Sequence, residues 1–332
     1  MKLKNRGYRN VLWIVFIGAI SLGTFQVTAS AVDEVKVHVN GVASVNASIF
    51  QIAEKRGFYK TNGVQSLRIV AASQAGIQGL IGGSFDASMI LGLGSAAILR
   101  GAPLKIVMSF DSRPVYYLYG GKGITTVKDL RNGKRVGVSG LGSNTDQMTR
   151  EVLAKNGVDP QRDVNIQGAG TGSVRLLALL GGGLDAAIFN SVEALTAKKQ
   201  GLNELLFYGD YDLDIISGRV VVKQRTITEN KDLTTRFLRG TLQAFQWLKS
   251  NEMEAASLVA ENFKLPRSDT LEIIRATVKA YTSDGTVPRE QQARIIEFQR
   301  KQLKVERVVS PDELYDFSLL RSLNQELKRT GS

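Results

Sequence analysis

The sequence predicts an α/β protein made of two doubly wound lobes, and two patterns carry this prediction. Short apolar runs alternate with helical patterns over most of the chain, and one helix–strand unit occurs twice. Alternation of this kind is typical of largely parallel sheets that are covered by helices on both faces. The predicted strands are residues 35–39, 67–71, 87–91, 105–110, 135–139, 164–167, 186–189 and 220–222.

The repeated unit is the most informative of these patterns. The stretch Leu80–Ile90 recurs 99 residues later as Leu179–Phe189. In both copies a helix ends in glycines, and an Asp-Ala pair, at Asp86 or Asp185, opens a buried strand. Two similar lobes in one chain are the simplest explanation.

The last part of the chain, from about Thr228, reads as almost wholly helical. Apolar residues recur there at helical spacing, at Leu233, Phe237, Leu238, Leu242, Phe245 and Leu248. We expect this aromatic stripe to belong to the core rather than to a ligand cage.

The first 31 residues have the layout of a secretory signal peptide. Four basic residues precede an apolar run from Val11 to Phe25, and Ala29-Ser30-Ala31 offers a small-residue cleavage site. The apolar run is shorter than the roughly 20 residues that span a bilayer, which argues against a retained membrane anchor. We therefore expect cleavage after Ala31 and a periplasmic location. The chain has no cysteine, hence no disulfide and no lipid-modified cysteine.

Composition argues against nucleic-acid binding and against catalysis. Without the leader, 39 basic residues stand against 31 acidic ones, and they are dispersed rather than clustered with aromatics. The single histidine, His38, lies inside the first predicted strand, and no zinc pattern, P-loop or Gly-x-Ser-x-Gly elbow occurs. We expect no cofactor, no metal and no enzymatic activity.

Several stretches have the order and spacing of a known family. They are Ile52–Val64, Gly82–Asp86, Gly101–Val107, Val127–Val138 with the following Gly142-Ser143, and Ala244–Leu248. Together they resemble the NitT/TauT-type solute-binding proteins, which serve ABC importers of nitrate, taurine, alkanesulfonates and thiamine precursors. The resemblance covers roughly residues 34–265.

The resemblance implies a type II periplasmic binding fold, with two lobes, a hinge and a ligand cleft between them. Lobe 1 would comprise residues 33–115 and 220–332, and lobe 2 residues 116–219, with crossings near Tyr116–Tyr119 and Gly218–Val221. It also implies a small-molecule ligand, a monomeric protein and docking on an ABC transporter permease at the inner membrane.

Ligands of open α/β sheets collect at the carboxyl ends of the strands, where helix N-termini expose N–H groups that suit an anion. Polar helix starts and loops at these positions predict the ligand contacts. These are Ser44, Val45, Asn46, Ser73, Gln74, Gly92, Leu93, Gly94, Ser143, Asn144, Thr171, Gly172, Ser173, Asn190, Ser191 and Glu193.

Some of these residues have an alternative, structural interpretation. Ser143 and Ser173 could serve as helix caps, and Ser143–Asp146 fits a capping box. Glu193 could hold an amine or simply be solvated. No arginine lies in these loops, which argues against a strong sulfonate or sulfate specificity. The sequence does not decide whether the ligand is nitrate, a sulfonate, taurine, a pyrimidine or an aromatic carboxylate. It also does not decide whether the protein serves transport or sensing.

Two other functional classes are compatible with the same fold. A pyrimidine-precursor synthase would need a cysteine-rich motif that this chain lacks, and it would not be exported. The effector lobe of a transcription regulator would carry a helix-turn-helix head where the signal peptide stands.

Overall fold

The computed structural model describes residues 34–39, 44–71, 76–90, 93–214 and 218–330, which belong to one compact unit. The predicted signal peptide, residues 1–31, lies outside the described residues. Within the described ranges, every helix is too short or too polar to cross a membrane.

Ten strands of the described residues form two mixed sheets. The strands are β1 Glu34–Val39, β2 Ser66–Ala71, β3 Ala87–Ile90, β4 Leu104–Ser109, β5 Tyr117–Gly120, β6 Lys134–Val138, β7 Val164–Gly168, β8 Ala186–Phe189, β9 Asn203–Phe207 and β10 Arg219–Lys223. Their order is β2-β1-β3-β10-β4 in the first sheet and β7-β6-β8-β5-β9 in the second. In each sheet one strand, β10 or β5, is antiparallel to both of its neighbours. The predicted α/β class is confirmed, although the sheets are not wholly parallel.

Helices cover both sheets and form most of the C-terminal third. They are α1 Val45–Lys55, α2 Phe58–Thr61, α3 Gly76–Gly82, α4 Leu93–Leu99, α5 Asn144–Lys155, α6 Gly172–Leu180, α7 Ser191–Lys199, α8 Gln224–Glu229, α9 Lys231–Ser250, α10 Glu252–Phe263, α11 Arg267–Val278, α12 Arg289–Leu303, α13 Pro311–Leu314 and α14 Ser318–Thr330. The aromatic stripe of α9 is buried, and Phe237 stacks on Phe50 and Tyr59. Its prediction as core is confirmed.

The repeated Asp-Ala pair has the same structural role in both sheets. The Asp86 carboxylate accepts a hydrogen bond from the backbone N–H of Lys36 at 2.8 Å, and Asp185 accepts one from the N–H of Arg135 at 2.8 Å. Each bond ties the start of the sheet's central strand, β3 or β8, to the neighbouring strand, β1 or β6. Because a one-residue slip would move every side chain to the opposite face, these bonds help to fix the register.

The register shows how the two sheets are connected. Residues 110–116 run from the carboxyl end of β4 to Tyr117, which pairs with Phe189 at the carboxyl end of β8. The second connection leads from the carboxyl end of β9 to Arg219, which pairs with Ser109 at the carboxyl end of β4. Both connecting segments therefore join the carboxyl edges of the two sheets. These edges are where a cleft would open.

Beside the connecting segments, α7 of the second sheet packs against α11 of the C-terminal helices. Leu195 is buried in the core of the first sheet, and Lys198 Nζ lies 2.7 Å from Glu272 Oε1. Lys199 forms a second ion pair with Asp269. Apolar and charged contacts thus join the two halves of the fold outside the connecting segments.

Candidate functional site

Four helices begin at the carboxyl edges with a side chain that caps the exposed backbone N–H groups. The cap contacts are Ser44 Oγ to Ala47 N at 3.1 Å, Ser143 Oγ to Asp146 N at 3.3 Å, Thr171 Oγ1 to Val174 N at 3.4 Å, and Asn190 Oδ1 to Val192 N at 2.8 Å. These helices are α1, α5, α6 and α7. Capping is therefore one role of these predicted site residues, and it fixes where each helix end points.

At the start of α5, three hydroxyl groups bond to one another. Ser139 Oγ lies 2.9 Å from Ser143 Oγ and 2.8 Å from Thr145 Oγ1, and the last two oxygens are 2.9 Å apart. The predicted capping box is only half formed, because Asp146 accepts from the backbone N–H of Gly142 rather than from that of Ser143. Sequence reasoning missed Ser139 as a site residue because it was predicted as the last residue of a strand, whereas the observed strand β6 ends at Val138. Hydroxyls can turn to donate to an anion at this helix end.

The start of α6 carries an arginine that the sequence analysis did not place at the site. Arg175 is only 4% exposed, and its guanidinium donates from Nε to the carbonyl of Ile188 at 2.9 Å and from Nη1 to the carbonyl of Gly170. Both carbonyls belong to the carboxyl edge of the second sheet. No arginine lies in the loops themselves, but Arg175 turns back to them from the first turn of the helix. Thr171 and Ser173 are exposed beside it.

Glu193 lies in the first turn of α7 and faces the start of α6. A Cβ added to Gly172 would lie 2.4 Å from Glu193 Oε1, so the carboxylate rests directly on this glycine. Burial raises the pKa of Glu193, while the backbone N–H groups of Glu193 and Asn190 and the charge of Arg175 oppose this rise. Its Oε2 atom is buried and has no hydrogen-bond partner among the described residues.

Tyr116, in the first connecting segment, links these groups to the other half of the fold. Burial raises its pKa to about 12, Arg175 lowers it, and Asp111 and Glu193 raise it further. Because such interactions weaken with distance, Arg175, Asp111 and Glu193 all lie in the surroundings of Tyr116.

Ser191 contacts a different neighbour from the one that Glu193 contacts. Its Oγ lies 3.3 Å from Thr277 Oγ1 of α11. It also lines a cavity of about 160 Å³ between α7, β5 and α11, together with Tyr117, Tyr119 and Glu204. Asn144, in contrast, is half-buried in the first turn of α5, beside the hydroxyl cluster.

On the first sheet, the side chain of Asn46 is held by the connecting region. Its Nδ2 donates to Asp111 Oδ2 at 2.9 Å, and its Oδ1 accepts from the Tyr281 hydroxyl at 2.8 Å. A Cβ on Gly218 would lie 2.2 Å from the same amide, so the second connecting segment also passes here. The neighbouring Val45 is buried.

The remaining predicted contacts of the first sheet are only partly described. Ser73, Gln74 and Gly92 lie outside the described residues, while Leu93 and Gly94 begin α4.

The sole histidine is buried within the first sheet. His38 Nδ1 lies 2.8 Å from Ser88 Oγ, and its ring packs on Phe85. The described residues contain no group of three or more His, Cys, Asp or Glu side chains that could hold a metal ion.

Comparison with known proteins defines the class. The NMT1/THI5-like family model matches residues 44–255, so the chain belongs to that family. The fold is that of periplasmic binding proteins. The sequence has no match among the curated proteins.

Three solved structures illustrate the likeness of fold. The periplasmic aliphatic sulphonate-binding protein SsuA of Escherichia coli is 17% identical, with a TM-score of 0.70 over 86% of this chain and 92% of that one. The periplasmic nitrate-binding protein NrtA of Synechocystis PCC 6803 is 16% identical, with a TM-score of 0.72 over 90% of each chain. The ligand-binding component of an ABC-type import system from Staphylococcus aureus, solved with zinc bound, is 14% identical, with a TM-score of 0.73 over 87% of this chain and 98% of that one.

Proposed function

We propose that the chain is a periplasmic solute-binding protein that captures a small organic or anionic ligand between two lobes and delivers it to an ABC importer. The observation that carries this proposal is the convergence of capped helix starts at the joined carboxyl edges. Helix N-termini supply N–H groups and partial positive charge, which together bind anions.

Lobe 1 is built on the first sheet and lobe 2 on the second, and the two connections, from β4 to β5 and from β9 to β10, act as the hinge. In the open form the helix starts of both lobes face solvent. A ligand that contacts both lobes stabilises the closed form, since it binds that form more tightly. The hydroxyls of Ser139, Ser143 and Thr145 can act as donors at the start of α5, and Arg175 adds a fixed positive charge near the start of α6.

The similar structures support the proposal because they are themselves described as binding or import proteins. Their descriptions name a periplasmic sulphonate binder, a periplasmic nitrate binder and a component of an ABC-type import system. Export to the periplasm, cleavage after Ala31, action as a monomer and docking on a membrane permease complete the proposal. For the zinc of the third structure, the described residues offer no group of three or more His, Cys, Asp or Glu side chains.

The same proposal excludes catalysis. Covalent catalysis and acid–base catalysis need an activated nucleophile or a tuned proton carrier that can reach the substrate. This chain has no cysteine, and its one histidine is buried against Ser88. Glu193 is the best-placed acid, and no nucleophile within hydrogen-bond distance of it is found among the described residues.

The direct test is binding. The mature protein, freed of bound ligand by unfolding and refolding, should be screened by thermal shift and then by calorimetry against nitrate, ethanesulfonate, taurine, a pyrimidine and benzoate. A ligand that binds only the folded state raises the melting temperature by mass action. Saturable binding of one class supports the proposal, whereas well-folded protein that binds none of the classes counts against it.

A further inference from the structure

Helix capping does not account for the carboxylate of Glu193. A glutamate three residues after an N-cap commonly turns back to the backbone N–H groups of the cap, and these N–H groups do lower its pKa here. That role uses one side of the carboxylate. The Oε2 atom remains buried with no hydrogen-bond partner among the described residues. A buried charged oxygen in this state is unfavourable unless a further donor reaches it.

The neighbouring arginine does not supply that donor. Arg175 Nε and Nη1 donate to backbone carbonyls of Ile188 and Gly170, and no ion pair within 4.0 Å joins Arg175 to Glu193 among the ion pairs of the described residues. The guanidinium therefore acts on Glu193 only at a distance, and its charge lowers the pKa of the carboxyl group. The site thus holds a fixed positive charge and, separately, an acceptor that still lacks a donor.

The two charges lie close to each other and to the helix ends. Glu193 touches the first residue of α6, Gly172, and Arg175 lies one turn further along the same helix. The charges of both residues, together with that of Asp111, shift the pKa of Tyr116 in the first connecting segment. A ligand that reaches the N-terminus of α6 therefore comes within contact distance of Glu193.

We propose that Glu193 accepts a hydrogen bond from a protonated amine of the ligand, so that the protein selects small zwitterions. The anionic end of the ligand binds the helix starts of α5 and α6 above Arg175, and the amine binds Oε2 of Glu193. A charged donor suits this position best, because a partly desolvated carboxylate gains more from a charged hydrogen bond than from a neutral one. The contact between Glu193 and Gly172 requires a short spacer between amine and anion. This inference rests on the proposed solute-binding function.

Matched pairs of ligands test the proposal. Taurine and ethanesulfonate share a sulfonate but differ in the amine, and β-alanine and propionate do the same for a carboxylate. Calorimetry on the ligand-free protein should give at least about tenfold tighter binding for the amine-bearing member of a pair, the effect of about one charged hydrogen bond. In Glu193→Gln, which keeps the shape of the side chain, this preference should disappear while the melting temperature does not fall.

Several results overturn the assignment. One is equal affinity within both pairs for the unmodified protein. Another is a preference for the amine that survives in Glu193→Gln. A third is a lowered melting temperature of Glu193→Gln with unchanged selectivity, which would make the carboxylate a structural partner of Arg175. Failure of taurine and β-alanine to bind also refutes it, while nitrate, ethanesulfonate or benzoate binding would leave the proposed function standing.

Discussion

A methyl group at position 172 is the smallest change that displaces the Glu193 carboxylate. In Gly172→Ala the new Cβ would lie 2.4 Å from Oε1, 2.5 Å from Cδ and 3.0 Å from Cγ of Glu193. Ordinary contacts begin near 3.4 Å, so the carboxylate must retreat by about 1 Å. The backbone itself tolerates alanine, because Gly172 is absent from the positive-φ glycines and opens a helix.

The expected effects on stability and on binding differ in size. Over-packing of a buried contact costs about 1–3 kcal/mol, and replacing a helical glycine by alanine recovers up to about 1 kcal/mol. The free energy of unfolding should therefore fall by about 3 kcal/mol at most. Affinity for an amine-bearing ligand should fall about tenfold or more, because a shift of about 1 Å breaks a charged hydrogen bond.

The assay compares Gly172→Ala with a control substitution in which the added methyl group contacts no other residue. Gly140 lies in the loop after β6, and a Cβ there has no neighbour within 4 Å, so Gly140→Ala is the matched control. Urea unfolding and calorimetry with taurine are measured on both variants. Unchanged affinity in Gly172→Ala, with stability lowered, would refute the view that the position of Glu193 matters for the ligand.

Three further predictions concern register, pH and the helix caps. Asp185→Ala and Asp86→Ala should each lower the free energy of unfolding by about 1–3 kcal/mol in urea titrations, since each leaves a backbone N–H unpaired; a change below 0.5 kcal/mol would contradict the register role. Burial raises the pKa of Glu193 in the folded state, so the folded state binds this proton more tightly than the unfolded state does. The ligand-free protein should therefore lose stability as the pH rises from about 4.5 through the raised pKa of the folded state. Glu193→Gln should flatten that part of the stability–pH curve, and an unchanged curve would argue against a desolvated carboxylate. Thr171 rather than Ser173 caps α6, so of the two serines only Ser143 is a cap. Ser143→Ala combined with Ser173→Ala should weaken ligand binding by about 1–3 kcal/mol if these hydroxyls contact the ligand, and lowered stability with unchanged affinity would leave Ser143 as a cap only.

The sequence predicted the framework of the fold well, because the framework depends on local patterns. Each predicted strand lies within a residue or two of an observed one, from Glu34–Val39 to Arg219–Lys223. The repeat anticipated the equivalent roles of Asp86 and Asp185, although the bonds themselves connect residues 50 positions apart. Two strands were missed.

Each missed strand lacks a pattern of its own. Tyr117–Gly120 has only four residues and was predicted as part of a crossing. Asn203–Phe207 is an edge strand with an exposed Asn203 and Glu204, so it shows no clear alternation of buried and exposed residues. Both strands become recognisable through their pairing with each other, which is a tertiary feature.

The candidate site was predictable only as a set of helix starts. Polar residues before apolar runs identified Ser143, Thr171 and Asn190 through the chemistry of helix capping. Arg175 escaped notice because its neighbours are leucines in a helical pattern, and its turn toward the Gly170 and Ile188 carbonyls depends on the packed structure. The lone acceptor atom of Glu193 likewise follows from burial, which no local pattern reports.

Ligand should close the two lobes on each other, and because the chain has no cysteine of its own, this closure can be measured between two introduced labels. Gln78→Cys on α3 and Leu177→Cys on α6 place one spin label on an exposed position of each lobe. The distance between the two labels can be measured by double electron–electron resonance. With the ligand that gives the largest thermal shift, the distance distribution should move to a new, narrower population, and the same ligand should leave it unchanged in a variant that no longer binds. An identical distribution with and without saturating ligand would contradict closure as the mechanism.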